Sequence, residues 1–269
     1  PTNLAEIDVI LATSTLVGKL DFDSFTIRIN DRRFLKAMAA YSGFPEASYD
    51  QVFIILDKMD KIGLDGVAAE LEESGFAKES IEKYIALFDA VGNGIDGVKY
   101  CKEKLEGFLD PDVADNMSTI IESVMEAKTA NFTIEFDPTL VRGMSYYTGP
   151  IFEISIDGFA GSVGGGGRYD EMIGKFTGTP TPATGFSIGF ERIVMLLMEK
   201  GFKVPGSSDK KAYLLDKKLS SDKLVEVVKK AGEERKAGKS VNIVYMKKNK
   251  KFQKEQLIAE GYETIEEVY

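Results

Sequence analysis

Residues 137–153, DPTLVRGMSYYTGPIFE, concentrate more chemistry than any other stretch of the chain, and the reading of the rest turns on them. The flanks FTIEFD (132–137) and GPIFEISIDG (149–158) are rich in β-branched and aromatic residues and read as strands. Between them Arg142 stands beside Gly143, whose missing Cβ opens backbone conformations that other residues avoid. Tyr146 and Tyr147 follow. On a strand, successive side chains alternate, so one tyrosine would enter a pocket while the other packs. Two local readings fit: a ligand-facing arginine with an aromatic neighbour, or a bulged strand with a surface arginine.

Moving toward the C-terminus, FAGSVGGGGRYDEMIGKF (159–176) contains the run Gly164–Gly167 followed by Arg168, Tyr169 and Asp170. It lacks the G-K-[ST] ending of a phosphate loop. Glycines in a strand let a ligand approach the backbone or let two sheets pack closely, and both explanations stand at this point. After the loop TGTPTPAT (177–184), GFSIGFERIVMLLMEKG (185–201) reads as a strand running directly into an apolar helix. Arg192 lies near the start of that helix, where the dipole disfavours a cation, so Glu191 or a ligand phosphate is expected beside it. Gly185 and Gly189 clear side chains from the strand leading to it.

Toward the N-terminus, residues 4–20 carry apolar positions at helical spacing, and DFDSFTIRIN (21–30) alternates Phe25, Ile27 and Ile29 with polar residues, as a half-buried strand does. Asn30 or Asp31 would cap the helix begun by RRFLKAMAAYSG. From about Ser48 to Lys128 the pattern is helical, in the segments QVFIILDKMDKIG, DGVAAELEESG, KESIEKYIALFDAV and ADNMSTIIESVMEAK. At the other end VPGSSDKK (204–211) reads as a linker, followed by strand AYLLD, helix SSDKLVEVVKKAGEERKAG, strand VNIVYM, helix KKFQKEQLIAEG and the terminal TIEEVY. The fold class expected is α+β, with core segments at 1–47 and 130–203, a helical insertion at 48–129 and a small α/β domain at 204–269.

Composition narrows the chemistry. Of 269 residues, 43% are hydrophobic and 29% charged, ordinary proportions for a globular chain. There is no histidine, which removes every mechanism built on an imidazole base, and Cys101 is the one cysteine, which removes internal disulfides and thiolate zinc cages. The net charge of -9 opposes nonspecific nucleic-acid binding, yet it is uneven. Residues 204–269 hold 15 of the 34 Lys and Arg and 11 of the 43 Asp and Glu, a net of +4, against -13 for residues 1–203. No run of about 18 apolar residues and no signal-peptide pattern is visible, so a cytoplasmic location without a membrane partner is expected.

Taken in order, LVRGMSYYTGPIFEI, GGGGRYDEMIGKF and PATGFSIGFERIVMLL resemble the signature segments of histidyl-tRNA synthetase, and FTIRINDRRFL resembles the strand and helix entry preceding that family's helical insertion. The resemblance covers residues 1 to about 202 and continues more weakly beyond. It implies a class II aminoacyl-tRNA synthetase antiparallel sheet, here partial, with a helical insertion and a C-terminal anticodon-binding-like domain. By resemblance Arg142 is the catalytic arginine and also meets ATP; Tyr146, Tyr147, Tyr169 and Gly166 bind histidine; Arg192 and Gly189 belong to the third class II motif and bind ATP; no residue is assigned to a metal. The implied activity is histidine–tRNA ligation with ATP and Mg2+, with tRNA(His) as partner and a homodimer in the full-length protein. The noncatalytic paralogue, the regulatory subunit of ATP phosphoribosyltransferase, is the alternative. The family's first and second motifs, with an ATP-binding arginine and a histidine-binding carboxylate, are not found in the sequence, Ser145 stands where many members carry Asp, and the C-terminal domain is short. The chain alone is expected to be inactive.

Overall fold

The computed structural model describes residues 3–269 apart from 21, 23, 93, 143–145 and 203–209; Gly143, Ser145 and most of the expected linker therefore lie outside the described residues. Two compact units are formed, Pro1–Ile193 and Val194–Tyr269. The division falls upstream of the expected linker.

The first unit is built on a five-stranded sheet. Helix α1 (Leu4–Gly18) leads to β1 (Phe25–Asp31), whose Phe25, Ile27 and Ile29 are all buried, as their alternation requires. Asp31, rather than Asn30, caps α2 (Arg32–Ser42) by accepting from the Arg33 amide at 2.8 Å, and Gly43 at φ 87° ends that helix in the left-handed region. The helical segment comprises α3 (Tyr49–Leu56), α4 (Met59–Glu73), α5 (Lys78–Ala90), α6 (Gly94–Lys104) and α7 (Pro111–Ala127). A cluster of Phe44, Phe76, Tyr84 and Phe88 in edge-to-face contact, with ring centroids 4.9 to 5.3 Å apart, ties α5 to the end of α2. The continuous helix expected for QVFIILDKMDKIG is broken at Asp57 and Lys58, whereas the expected break before DGVAAELEESG is present as a kink inside α4 at Gly63, whose φ of 70° and ψ of 175° are non-helical.

Strands β2 (Phe132–Phe136), β3 (Pro150–Ser155) and β4 (Ser162–Arg168) follow, then a short helix α8 (Met172–Thr177) that the glycine-dominated reading of this stretch missed. Strand β5 (Thr184–Ile188) runs through Gly189 into α9 (Phe190–Glu199). The sheet order is β2-β1-β3-β4-β5. Every pairing is antiparallel except β1 with β2, which are parallel and joined by the whole helical segment. Phe25 stacks on Phe132 at 5.2 Å, and Met117, Ile120, Ile121 and Val124 of α7 are buried in the same core.

In the second unit β6 (Lys210–Leu215), α10 (Ser221–Lys236), β7 (Ser240–Tyr245), α11 (Lys250–Ala259) and β8 (Thr264–Val268) form a parallel sheet in the order β7-β6-β8. Both faces of β6 are buried: Tyr213 and Leu215 pack with Val227 and Ala231 of α10, while Ala212 and Leu214 pack with Leu257 of α11. Ser220 and Asn249 cap the two helices. No helix among the described residues is long and apolar enough to cross a membrane.

Cys101 is buried in α6, and burial pushes its thiol up to about 12. A thiolate is the reactive form. Ellman's reagent at pH 8 is therefore expected to leave the folded protein unmodified and to titrate one thiol in denaturant; a stoichiometric reaction in the native state would contradict the burial.

Candidate active site

The segment carrying Arg142 is fixed from beneath. Asn30 is fully buried, and its amide donates to the carbonyls of Pro138 at 3.3 Å and Leu140 at 3.0 Å. The Asp137 carboxylate accepts from the Thr139 amide and hydroxyl at 2.9 and 2.6 Å, closing a turn, and Leu140 and Val141 enter the core. Arg142 emerges at the end of this anchored stretch. Its Nε and Nη2 donate to the two oxygens of Glu153 at 2.5 and 3.3 Å, the paired geometry a planar guanidinium favours, and its Nη1 donates to Asp57 at 3.1 Å. Glu153 lies on β3 and is 5% exposed; Ser162 donates to it at 3.2 Å. The hydrogen bond to Glu153, backed by the charges of Glu153 and Asp57 against the opposing effect of burial, raises the Arg142 pKa above its ordinary value. The arginine is a permanent cation.

Arg142 opens on a cleft of about 1110 Å³ that it shares with Arg28, Asp57, Glu153 and Ser162. Arg192 reaches the rim of the same cleft, its Nη1 donating to the Ser162 carbonyl at 2.5 Å. The partner of Arg192 is thus a backbone oxygen rather than the expected Glu191. A Cβ on Gly189 would sit at ordinary contact distance, 3.5 Å, from the Arg192 Cδ and more tightly, 3.2 Å, against the Val163 carbonyl.

A second, mainly apolar cleft of about 810 Å³ is lined by Tyr146, Tyr147, Tyr169, Gly165, Gly166 and Phe186. The tyrosine pair precedes the start of β3 at Pro150 instead of lying on it, so the alternation expected of a strand does not apply. Both rings enter the cleft, with centroids 4.4 Å apart, and Tyr169 stands 6.4 Å from Tyr147. Burial, reinforced by the hydrogen bond to Tyr146, raises the Tyr147 pKa, so its hydroxyl keeps its proton through the physiological range. The structure therefore brings Tyr146, Tyr147, Tyr169 and Gly166 around one cleft and Arg142 and Arg192 around another. Gly165 borders both: it lines the tyrosine cleft, and its Cβ position would lie 3.4 Å from the Glu153 Cγ.

Three of the four glycines in the run, all but Gly165, are accounted for within the sheet itself. A Cβ on Gly164 would meet the Phe186 ring at 2.7 Å, one on Gly166 the Gly185 carbonyl at 2.1 Å, and one on Gly167 the Pro150 carbonyl at 2.5 Å. Neighbouring strands, not a second sheet, exclude side chains here. The places of Glu153 and Asp57 beside Arg142 escaped the sequence reading, and Asn30 was read only as a candidate helix cap; the one local signal was Glu153, a lone acid in the apolar strand PIFEIS.

Residues 3–193 match the sequence family described as Histidyl-tRNA synthetase. The chain belongs to that family. The histidine–tRNA ligase of Leifsonia xyli subsp. xyli is 44% identical over 201 residues, covering 73% of this chain and 46% of the relative, and the probable histidine–tRNA ligase of Tropheryma whipplei strain Twist is 37% identical over 237 residues, covering 84% and 54%. The chain spans about half the length of these curated relatives. Among solved structures, a histidyl-tRNA synthetase from Nostoc sp. PCC 7120 superposes with a TM-score of 0.77 at 24% identity, over 97% of this chain and 62% of that one. A protein from Bacillus halodurans, described as an ATP phosphoribosyltransferase regulatory subunit/histidyl-tRNA synthetase, gives 0.72 at 19% identity, over 99% and 65%. At these identities the two superpositions establish the class II synthetase fold alone.

Proposed function

We propose that this chain carries the histidine-facing half of a histidine–tRNA ligase site. Arg142, clamped by Glu153 beside a cleft walled by three tyrosines, carries the reading. In the reaction a histidine carboxylate oxygen attacks the α-phosphorus of ATP, the bond to the bridging oxygen breaks, and pyrophosphate departs with the electron pair. The product, histidyl-adenylate, then passes its histidyl group to a ribose hydroxyl at the 3' end of tRNA(His), the bond from its carbonyl carbon to the phosphate oxygen breaking as AMP departs. Neither step needs a protein nucleophile; both need reactants held in line and charge neutralised where it develops.

Arg142 supplies a cation that cannot be deprotonated, and Arg192 lies on the rim of the same cleft, where a polyphosphate would extend. Tyr147, with its proton retained, offers a hydroxyl to an imidazole nitrogen, and Tyr146 and Tyr169 enclose the ring. Among the described residues no group of three or more Asp, Glu, Cys or His stands together as a metal cage, and Glu153 is already bound by Arg142 and Ser162. Magnesium would accompany ATP and neutralise its phosphates, and the carboxylates available to help hold it in this cleft are those of Asp57 and Asp60.

The basic second unit is the part we assign to tRNA contact. Lys250 and Lys254 are bound by Glu267, which leaves Lys247, Lys248 and Lys251 as the phosphate-facing candidates in KKNKKFQK.

The test is histidine-dependent ATP–pyrophosphate exchange. A polypeptide of the family's full catalytic length containing these residues, working as a homodimer, is expected to exchange with histidine and not with phenylalanine; residues 1–269 alone are expected to show at most traces. Histidine binding with no exchange in the full-length polypeptide would replace this reading by the regulatory one, whose fold the Bacillus halodurans protein shares.

A further inference from the structure

The structure assigns Asp57, on the break between α3 and α4, as a positioning residue for Arg142: the helical segment sets the angle at which the arginine meets the reacting oxygens. This inference rests on the ligase reading and deepens it. A guanidinium carries five N–H bonds. Glu153 takes the one on Nε and one on Nη2, and Asp57, 85 positions away in sequence, takes one on Nη1 at 3.1 Å. Among the described residues that leaves one hydrogen on each Nη for a ligand. The pairing with Glu153 is asymmetric, the 2.5 Å bond from Nε being short and the 3.3 Å bond from Nη2 long, so Glu153 by itself would let the fork tilt about its Nε edge. Asp57 holds the opposite nitrogen and opposes that tilt.

Asp57 is itself held firmly. Its amide closes the last turn of α3 on the Phe53 carbonyl at 2.9 Å, Leu56 before it is fully buried, and Lys58 after it is tied to Glu70 at 2.5 Å. Three residues on, Asp60 reaches the Arg28 Nη1 at 3.3 Å, but its side chain is 63% exposed and Arg28 is already held by Asp137. Asp60 shares the turn and the charge of Asp57 without touching Arg142, and serves as the internal control.

The experiment uses the full-length polypeptide carrying Asp57→Ala, Asp57→Asn or Asp60→Ala, with melting curves confirming that each is folded. Asp57→Ala is expected to lower kcat for exchange about tenfold while KM for histidine stays within about twofold, since misalignment at a reacting centre is felt in the transition state. Asp57→Asn, which keeps an acceptor oxygen, is expected to recover most of the loss, and Asp60→Ala, which removes a carboxylate from the cleft lining but no contact to Arg142, to change exchange less than about threefold. In parallel, phenylglyoxal modification of Arg142, read by mass spectrometry, should rise severalfold in Asp57→Ala alone, and this measurement requires no turnover. If the parent exchanges and Asp57→Ala matches Asp60→Ala, the positioning role is wrong and the ligase reading stands. If the parent shows no exchange, the ligase reading fails; a selective rise in Arg142 modification then still supports the positioning role, and equal modification in both alanine variants overturns it.

Discussion

Arg142→Ala in the full-length polypeptide is expected to reduce histidine-dependent exchange by about a thousandfold or more, the scale of losing a preorganised charge at a phosphoryl centre. Two effects combine in this variant and can be separated. The first is chemical: the only cation aimed into the cleft from the tyrosine-bearing segment is gone. The second is structural, because Glu153, 5% exposed, loses its charged partner and keeps only the Ser162 hydroxyl. An unpaired buried carboxylate destabilises, here by about 2 kcal/mol once the partial exposure of the pair is allowed for. Adding Glu153→Gln to Arg142→Ala should therefore restore much of the melting temperature and none of the exchange. Arg142→Lys is expected to fold normally and remain impaired, since an ammonium cannot hold both oxygens of Glu153 and present a planar fork outward. Exchange by Arg142→Ala within tenfold of the parent would remove the arginine from the mechanism.

Gly166→Ala should have a large structural effect on the sheet that floors the tyrosine cleft. Its Cβ would stand 2.1 Å from the Gly185 carbonyl oxygen and 2.8 Å from the Phe186 Cα, both main-chain atoms of β5 in register with β4. No rotamer relieves such a contact, so the strands must part. Gly185 moves with them, and its Cβ position already lies 2.5 Å from the Tyr169 hydroxyl, so the wall of the tyrosine cleft is displaced as well. A cost of roughly 3 kcal/mol or more is expected, equivalent to a fall of about 6–12 °C in Tm for a unit of this size. Gly165→Ala is the comparison: its nearest neighbours lie at 3.4 to 3.6 Å, ordinary contact distances, and its Tm should fall by far less. Equal melting of the two variants would show that strand crowding does not explain the glycines.

Sequence was informative where structure is local. The alternation of Phe25, Ile27 and Ile29, the cap at Asp31 and the passage of β5 into α9 through Gly189 all depend on neighbours within a few residues, and periodicity registers them. It failed where a distant partner decides. The apolar pattern of QVFIILDKMDKIG continues across Asp57, yet the helix breaks there, at the residue that pairs with Arg142. Tyr146 and Tyr147 looked like strand residues because they abut an apolar strand; the strand begins only at Pro150, and the turn before it points both rings the same way. The parallel pairing of β1 with β2, with about a hundred residues of helix between them, leaves no trace in either strand. The role proposed for Arg142 came from the ordered resemblance of three segments, since spacing alone favoured a surface arginine.

Strand β4 floors the tyrosine cleft with peptide groups instead of side chains. A ligand resting on amides and carbonyls reads a surface that substitution cannot easily rewrite, because a Cβ on Gly166 would collide with the main chain of β5 and one on Gly165 would lie against Glu153. Variation in what the cleft accepts must then arise in its walls, at Tyr146, Tyr147, Tyr169 and Phe186. An inhibitor anchored chiefly to the floor would leave few routes to resistance, whereas one anchored to the tyrosines would leave several.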